Sequence, residues 1–240
     1  MQGYVTHYTK LTERKSIIEE LTSSLDLDFS ICNEFDKEVL ENIDISIANT
    51  DPSLWLEQVN AIKPILLSNA GLDPNLSIDS IPWLQPRKLK SSEISLSLKH
   101  LSCLIEAAKK IEPSVIFEDD VLPYKNSNKS LIDILKIKNY DYCDIAGGCN
   151  LPIYKNDRSI KFNDSSIQLL MLSPPRSRNT AGYIITPEGA LKLASQIFPI
   201  VLPLDWSYQH AFLKLKMKVS WAYPPIFKHG SMSNLNSSIQ

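Results

Sequence analysis

The stretch VIFEDDVLPY, residues 115–124, sets Glu118, Asp119 and Asp120 side by side directly after an apolar, strand-like run. Neighbouring carboxylates raise one another's pKa unless a cation or a set of hydrogen-bond donors offsets them. Glu118 and Asp120 are two residues apart, so in an extended chain both project to the same side. Two hard oxygen donors at a strand end suit Mg2+ or Mn2+, and such an ion also takes the oxygens of a diphosphate. Three acids in a row equally make an ordinary solvated turn, and spacing alone does not separate the two readings.

Other residues offer chemistry, each with a plainer alternative. Asp205, in LPLDW, stands next to Trp206 and near Tyr208. A carboxylate beside aromatic rings suits a general base next to a sugar platform, and an aspartate at a helix start suits an N-cap equally well. Arg14 follows the first strand, where it either meets a nucleotide or is a charge on a solvated helix face. Arg176 and Arg178, in SPPRSRNT, either approach a departing diphosphate or are loop charges. His229, in FKHGS, is a candidate ligand for a metal or phosphate, or an exposed tail histidine. His100 borders the apolar stripe of its helix, which favours a packing or supporting role over direct catalysis.

The elements that must position these residues alternate. GYVTHY (3–8) reads as a strand, a helix opens at Thr12, and DFSICNEF (28–35) reads as a second strand. From 36 to 90, prolines and asparagine-rich turns predict short helices and loops over one edge of the sheet. Residues 91–113 carry Ile94, Leu98, Leu101 and Ile105 at helical spacing, with a serine to cap the start. SVIFEDD follows as a strand apolar on both faces, as in a central parallel strand. A helix over 130–137, a buried strand at 142–148 and two strands within 151–172 come next. Strand 180–186 then leads into a helix with Thr186 as cap and Pro187 at its first position. Residues 204–215 read as a helix and 218–227 as the last strand. The pattern is α/β, one domain over 1–240, with a mostly parallel central sheet flanked by helices. In such sheets ligands bind beyond the carboxyl ends of the strands, where the acidic triplet lies.

Composition narrows the function classes. The 240 residues are 43% hydrophobic and 22% charged, with a mean hydropathy of −0.12, as in a soluble globular protein. A net charge of −2 leaves no basic excess to neutralise phosphates, so nucleic acid is not an expected partner. No apolar run approaches membrane-spanning length, and the first residues lack the apolar core of a signal peptide. The four cysteines form no C-x-x-C pair and no zinc-like grouping, which predicts reduced thiols and a cytoplasmic protein.

Five blocks in order along the chain resemble glycosyltransferase family 25. YVTHYTKLTERK is similar to the family's opening block, which ends in an arginine, here Arg14. SSEISLSLKHL resembles "GEIGC-x-LSH" and aligns His100 with the family histidine. VIFEDDV resembles "ILEDDV", NTAGYIITPEGALKLAS resembles "G-x-AY-x-I-x-x-x-GA-x-x-L", and LPLDW with YPPIF resembles the "P-x-D" and "PP" segments. The resemblance implies a single GT-A-type nucleotide-sugar-binding domain and inverting transfer of a sugar, galactose first, from a UDP-sugar to a glycan or other hydroxyl acceptor. E-x-D then stands for D-x-D. The expected metal ligands for Mn2+ or Mg2+ are Asp120, Glu118 and His229. The expected donor contacts are Arg14, His7, Glu118, Asp119 and Arg178, and Asp205 is the expected base. His7 and Thr9 stand where the family usually has asparagine and aspartate, so base and ribose contacts are expected to differ. Segments 36–90 and 150–178 are the expected acceptor-side insertions. A non-catalytic sugar-nucleotide binder of the same fold and a metal-dependent phosphoesterase stay open at this level.

Overall fold

The strand GYVT buries alternate side chains on opposite faces of a sheet, Tyr4 in one apolar cluster and Val5 in the other. The same alternation places Ile116, Tyr142, Tyr183 and Trp221 on the first face and Phe117, Cys143, Ile184 and Ala222 on the second. Side chains of a strand alternate in this way, so each central strand has an apolar layer on both sides. The computed structural model describes residues 1–40, 51–137, 139–147, 151–161 and 167–230.

In chain order the elements begin with β1 (Gln2–Thr6), α1 (Lys15–Ser23), β2 (Asp28–Cys32), α2 (Lys37–Leu40), α3 (Pro52–Asn69) and α4 (Ser91–Ala108). β3 (Ser114–Glu118), β4 (Leu122–Pro123), α5 (Ser127–Leu135) and β5 (Tyr142–Asp144) follow. The chain closes with β6 (Arg158–Lys161), β7 (Gln168–Met171), β8 (Gly182–Ile185), α6 (Pro187–Ile197), α7 (Leu204–Lys214), β9 (Val219–Tyr223) and β10 (Phe227–Lys228). Eight strands form one sheet in the order β2-β1-β3-β8-β5-β9-β7-β6, and β4 pairs with β10 beside it. Residues of α3, α4, α6 and α7 pack on one face, and residues of α1 and α5 on the other.

The α/β class holds, and the sheet is mixed rather than mostly parallel. β1 pairs in parallel with β2 and β3, and β5 with β9, whereas β8 and β7 run antiparallel to all their neighbours. Insertion of β8 between β3 and β5 has a consequence for the site. It brings the start of β8 to the edge at which β1, β3 and β5 end.

Region 51–90 holds more helix than its prolines suggest. Pro52 sits in the first turn of the 18-residue α3, where its missing N–H costs nothing, and Asp51 caps it by accepting from Ser53 N at 2.8 Å. Pro64 lies inside the same helix, while Trp55, Val59 and Ile62 hold its buried face. α4 lacks the expected serine cap. Its first turn is closed instead by Glu93, whose carboxylate accepts from Lys90 N at 2.8 Å. Residues 41–50 and Cys149 lie outside the described residues. Among the described residues no helix is long and apolar enough to cross a membrane.

α6 begins as expected, with Thr186 Oγ1 accepting from Gly189 N at 3.0 Å. Gly189 is needed for more than the cap, because a Cβ there would lie 2.4 Å from the Asp141 carbonyl oxygen. That carbonyl accepts from Thr186 N at 3.0 Å, so neither partner can move freely. Gly189→Ala is therefore expected to destabilise the fold by about 1–3 kcal/mol, read as a lower denaturation midpoint with an unchanged m-value.

Candidate active site

Asp119 is the acid that the fold compensates by itself. Its Oδ2 lies 2.8 Å from His7 Nδ1 and accepts from Tyr8 N at 3.1 Å, and its Oδ1 accepts from the Arg14 guanidinium. Asp119 and Arg14 are both buried. Burial alone would raise the Asp119 pKa, but the His7 contact, the Arg14 charge and the Tyr8 amide together hold it below the usual carboxylate range. Arg14 also lies 3.9 Å from Asp120 through Nη2. The structure therefore places Arg14 behind the acidic loop, between two carboxylates.

Glu118 and Asp120 form a different environment. Asp120 is buried and its Oδ1 has no hydrogen-bond partner. Burial, followed by the charge of Asp120, pushes Glu118 up to about 8. Burial also raises Asp120, against the lowering fields of His229 and Arg14. The solvated-turn reading fails on these grounds, since Asp119 and Asp120 are both buried. His229 reaches the pair through the β4–β10 ribbon, where Lys228 pairs with Leu122 and returns the chain over the acidic loop. Gly230 permits that return, because a Cβ there would meet Asp120 Cβ at 2.7 Å and its carbonyl oxygen at 2.8 Å.

One ligand atom from each of Glu118, Asp120 and His229 lies within 4.8 Å of the other two. Two carboxylates and an imidazole, with an unsatisfied buried oxygen among them, fit a hard divalent cation such as Mn2+ or Mg2+. No other group of three such side chains meets this spacing among the described residues.

Glu118 has supporting partners. Its Oε1 accepts from Thr180 Oγ1 at 2.8 Å, and His100 Nε2 lies 3.7 Å away. His100 is fully buried, with Nδ1 2.9 Å from Tyr183 Oη, which in turn lies 2.8 Å from Tyr208 Oη. Tyr208 therefore cannot serve as the expected sugar platform. It is sequestered inside the core by this chain of contacts. Trp206 is half-buried and packs at 6.0 Å on Trp55 and 5.9 Å on the exposed Trp83.

A cleft of about 200 Å3 opens beside the cluster, lined by Glu93, Leu96, Glu118, Asn179, Thr180, Pro203, Leu204, Asp205 and His229. Asp205 is the second residue of α7, and Pro203 occupies the cap position without any side-chain cap bond. Burial raises the Asp205 pKa, although the backbone N–H groups of Trp206 and of Asp205 itself act to lower it. A second, smaller hollow shares Leu96 and Glu118 with this cleft and is lined by His7, Tyr8, Lys37, Ser92, Ser95 and Lys99. His7 Nε2 is buried there without a hydrogen-bond partner. Lys99 braces the wall, donating to His7 O and to Asp36 Oδ1, each at 2.6 Å.

Arg178 points elsewhere. Its Nη2 donates to Asp144 Oδ1 at 2.5 Å and its guanidinium lies 4.8 Å from the Trp221 ring centroid. The next two residues, Asn179 and Thr180, are the ones that line the cleft. Arg176 is fully buried on Asp157 and Tyr154. Asn179, Thr180 and Glu93 lie inside the blocks NTAGYIITPEGALKLAS and SSEISLSLKHL, but nothing in their residue types assigns them to the site.

The sequence profile described as "Glycosyltransferase family 25 (LPS biosynthesis protein)" matches residues 1–208. Comparison with curated proteins gives no match. Among solved structures, apo mouse xyloside xylosyltransferase 1 is similar at 11% identity, over 91% of this chain and 70% of that one, with a TM-score of 0.34. A likeness at that TM-score carries no weight for function.

The raised Glu118 pKa has a signed consequence. A carboxyl with a higher pKa in the folded state keeps a proton that the unfolded chain has already released, so stability falls as pH rises between the two values. The window runs from the ordinary glutamate value of about 4.3 to about 8. Asp119 acts in the opposite sense, and its contribution is lost on acidification below the usual aspartate range. In metal-free buffer, Glu118→Gln is expected to gain melting temperature over the wild type progressively as pH rises through that window. A constant difference across pH would show that Glu118 is not the group responsible.

Proposed function

The chain belongs to glycosyltransferase family 25, and on that premise we propose a metal-dependent, inverting transfer of a sugar from a UDP-sugar, galactose first, to a hydroxyl of a glycan acceptor. The observation that carries this reading is the Glu118–Asp120–His229 cluster, together with Asp205 on the wall of the same cleft. A divalent cation at that cluster supplies positive charge to a nucleotide diphosphate.

The residues divide the work. Glu118, Asp120 and His229 hold the cation and with it orient the diphosphate. Asp119 and Arg14 keep Asp120 in place from behind, so Arg14 serves the donor through Asp120. His7, with its unsatisfied Nε2 at the smaller hollow, faces the base or ribose. Arg178 anchors to Asp144 the segment that presents Asn179 and Thr180.

Inversion requires a base that takes the acceptor's proton as its oxygen attacks opposite the diphosphate. The carboxylates of the cluster are committed to the leaving-group side. Asp205 lines the cleft outside that cluster, and burial raises its basicity. It is the proposed base.

Thermal shift with UDP and Mn2+, together and separately, followed by a UDP-sugar turnover screen, tests the activity. Stabilisation that needs both ligands supports the reading, and absence of any UDP effect overturns it. Asp205→Asn tests the base. The expected variant keeps its melting temperature and UDP affinity while transfer slows by about 10²–10⁴-fold, and normal transfer would remove Asp205 from the mechanism.

A further inference from the structure

We propose that His100 is a positioning residue for Glu118: neutral, with its proton on Nε2, it turns an N–H toward Oε1 and holds the carboxylate for the cation. The assignment rests on the reading of Glu118 as a metal ligand.

Three observations carry it. The first is that the ring is locked. His100 lies in α4 with no exposed surface, stacked on Tyr183 at 5.8 Å and 21° and edge-on to Tyr208 at 6.3 Å and 82°. Second, one ring nitrogen is occupied and the other is not. Nδ1 meets Tyr183 Oη at 2.9 Å, whereas Nε2 is buried with no hydrogen-bond partner. Third, the unoccupied nitrogen faces Glu118 Oε1 across 3.7 Å, beyond hydrogen-bond length. Leaving a polar atom buried and unpaired is costly, and a ring placed only for packing needs no nitrogen there.

The proton's position follows from the partners. With a cation bound and Glu118 ionised as its ligand, the carboxylate would be repelled by an Nε2 lone pair, whereas an Nε2–H attracts it. With the proton on Nε2, Nδ1 must accept, so Tyr183 donates to it and Tyr208 donates to Tyr183. Each hydroxyl then has one assignment, fixed from the core outward. Thr180 already donates to the same Oε1 at 2.8 Å. With Thr180 donating to Oε1 and the Nε2–H facing the same atom, the carboxylate's remaining oxygen is left to the cation. Groups that orient a metal ligand in this way are worth about 10–100-fold in metal affinity when removed.

The test pairs two amides of different reach in the full chain. His100→Gln carries an N–H to about the position of Nε2. His100→Asn carries one only to the position of Nδ1. Mn2+ titration by calorimetry is expected to show near wild-type affinity for the glutamine variant and a loss of about 10–100-fold for the asparagine variant, at similar melting temperatures. Ring 15N shifts of the wild type with Mg2+ bound are expected to place the proton on Nε2. Equal affinity in the two variants, affinity that simply tracks melting temperature, or a proton on Nδ1 would overturn the assignment. Should the asparagine variant fail to fold, Tyr183→Phe removes the donor to Nδ1, and unchanged Mn2+ affinity in it counts against the proposal. Wild-type protein that binds no Mn2+ overturns the metal reading and this assignment with it. Wild-type binding beside an unimpaired asparagine variant overturns this assignment alone.

Discussion

Three carboxylates leave the end of β3 in succession and two of them are buried, so each must find donors or positive charge inside the fold or from a ligand. The fold supplies one of them fully. Arg14, His7 and the Tyr8 amide converge on Asp119 and lower its pKa against a burial that would raise it. Glu118 has the Thr180 hydroxyl and the field of Arg14, and Asp120 has the fields of His229 and Arg14, yet burial keeps both raised. A buried charge without a partner is among the costliest features a fold can keep. The arrangement is therefore one compensated acid beside two that burial leaves raised.

Much of the carboxyl edge follows from that arrangement. The loop after β1 must fold back to deliver Arg14, and it does so in a 3-10 turn at Thr12–Arg14 leading into α1. The chain after β10 must lie against Asp120, which Gly230 allows and a larger residue would not. β8 runs against its neighbours and so brings its leading residues, Asn179 and Thr180, to the edge where β3 ends. In a wholly parallel sheet the start of that strand would lie at the opposite edge. α4 sits behind, and its buried Lys99 ties the β1 end to Asp36 while His100 backs Glu118.

These pieces are legible in the sequence to different degrees. Helical spacing and proline placement locate α4, α6 and α7, because local pattern determines where such elements lie. The proximity of Glu118 and Asp120 is equally readable, being a property of a two-residue spacing. His229 is readable only as a candidate, since the β4–β10 ribbon that brings it to Asp120 has two residues on each side and no pattern of its own. Arg14 reads as a ligand contact, and nothing in its neighbourhood indicates that a carboxylate 105 residues away takes its guanidinium. α3 is hidden by its prolines, one at the start and one inside, although Trp55, Val59 and Ile62 repeat at helical spacing. Tyr208 is misplaced by sequence because α7 is buried on most of its surface, so no polar face marks which aromatic side chain looks outward. The direction of β8 is lost for a simpler reason. Alternating strands and helices imply parallel pairing unless a hairpin marks a reversal, and the antiparallel β6–β7 pair before β8 does not include β8.

Asp205 completes the electrostatic pattern. Environments that push carboxyl pKa values apart let one sheet edge carry both fixed charge and a proton acceptor. Asp119 is held low and stays charged as a counter-ion. Burial raises Glu118 and Asp120, and in the proposed reaction the cation would take both as ligands, so neither would serve as the base. Asp205 is raised by burial, is not one of the three cluster residues, and borders the same cleft. The amides of its own helix act against that rise. In the proposed reaction this separation gives the leaving group and the acceptor different carboxylates. It also accounts for a second acidic position far from the triplet in sequence, placed by α7 in the lining of the same cleft.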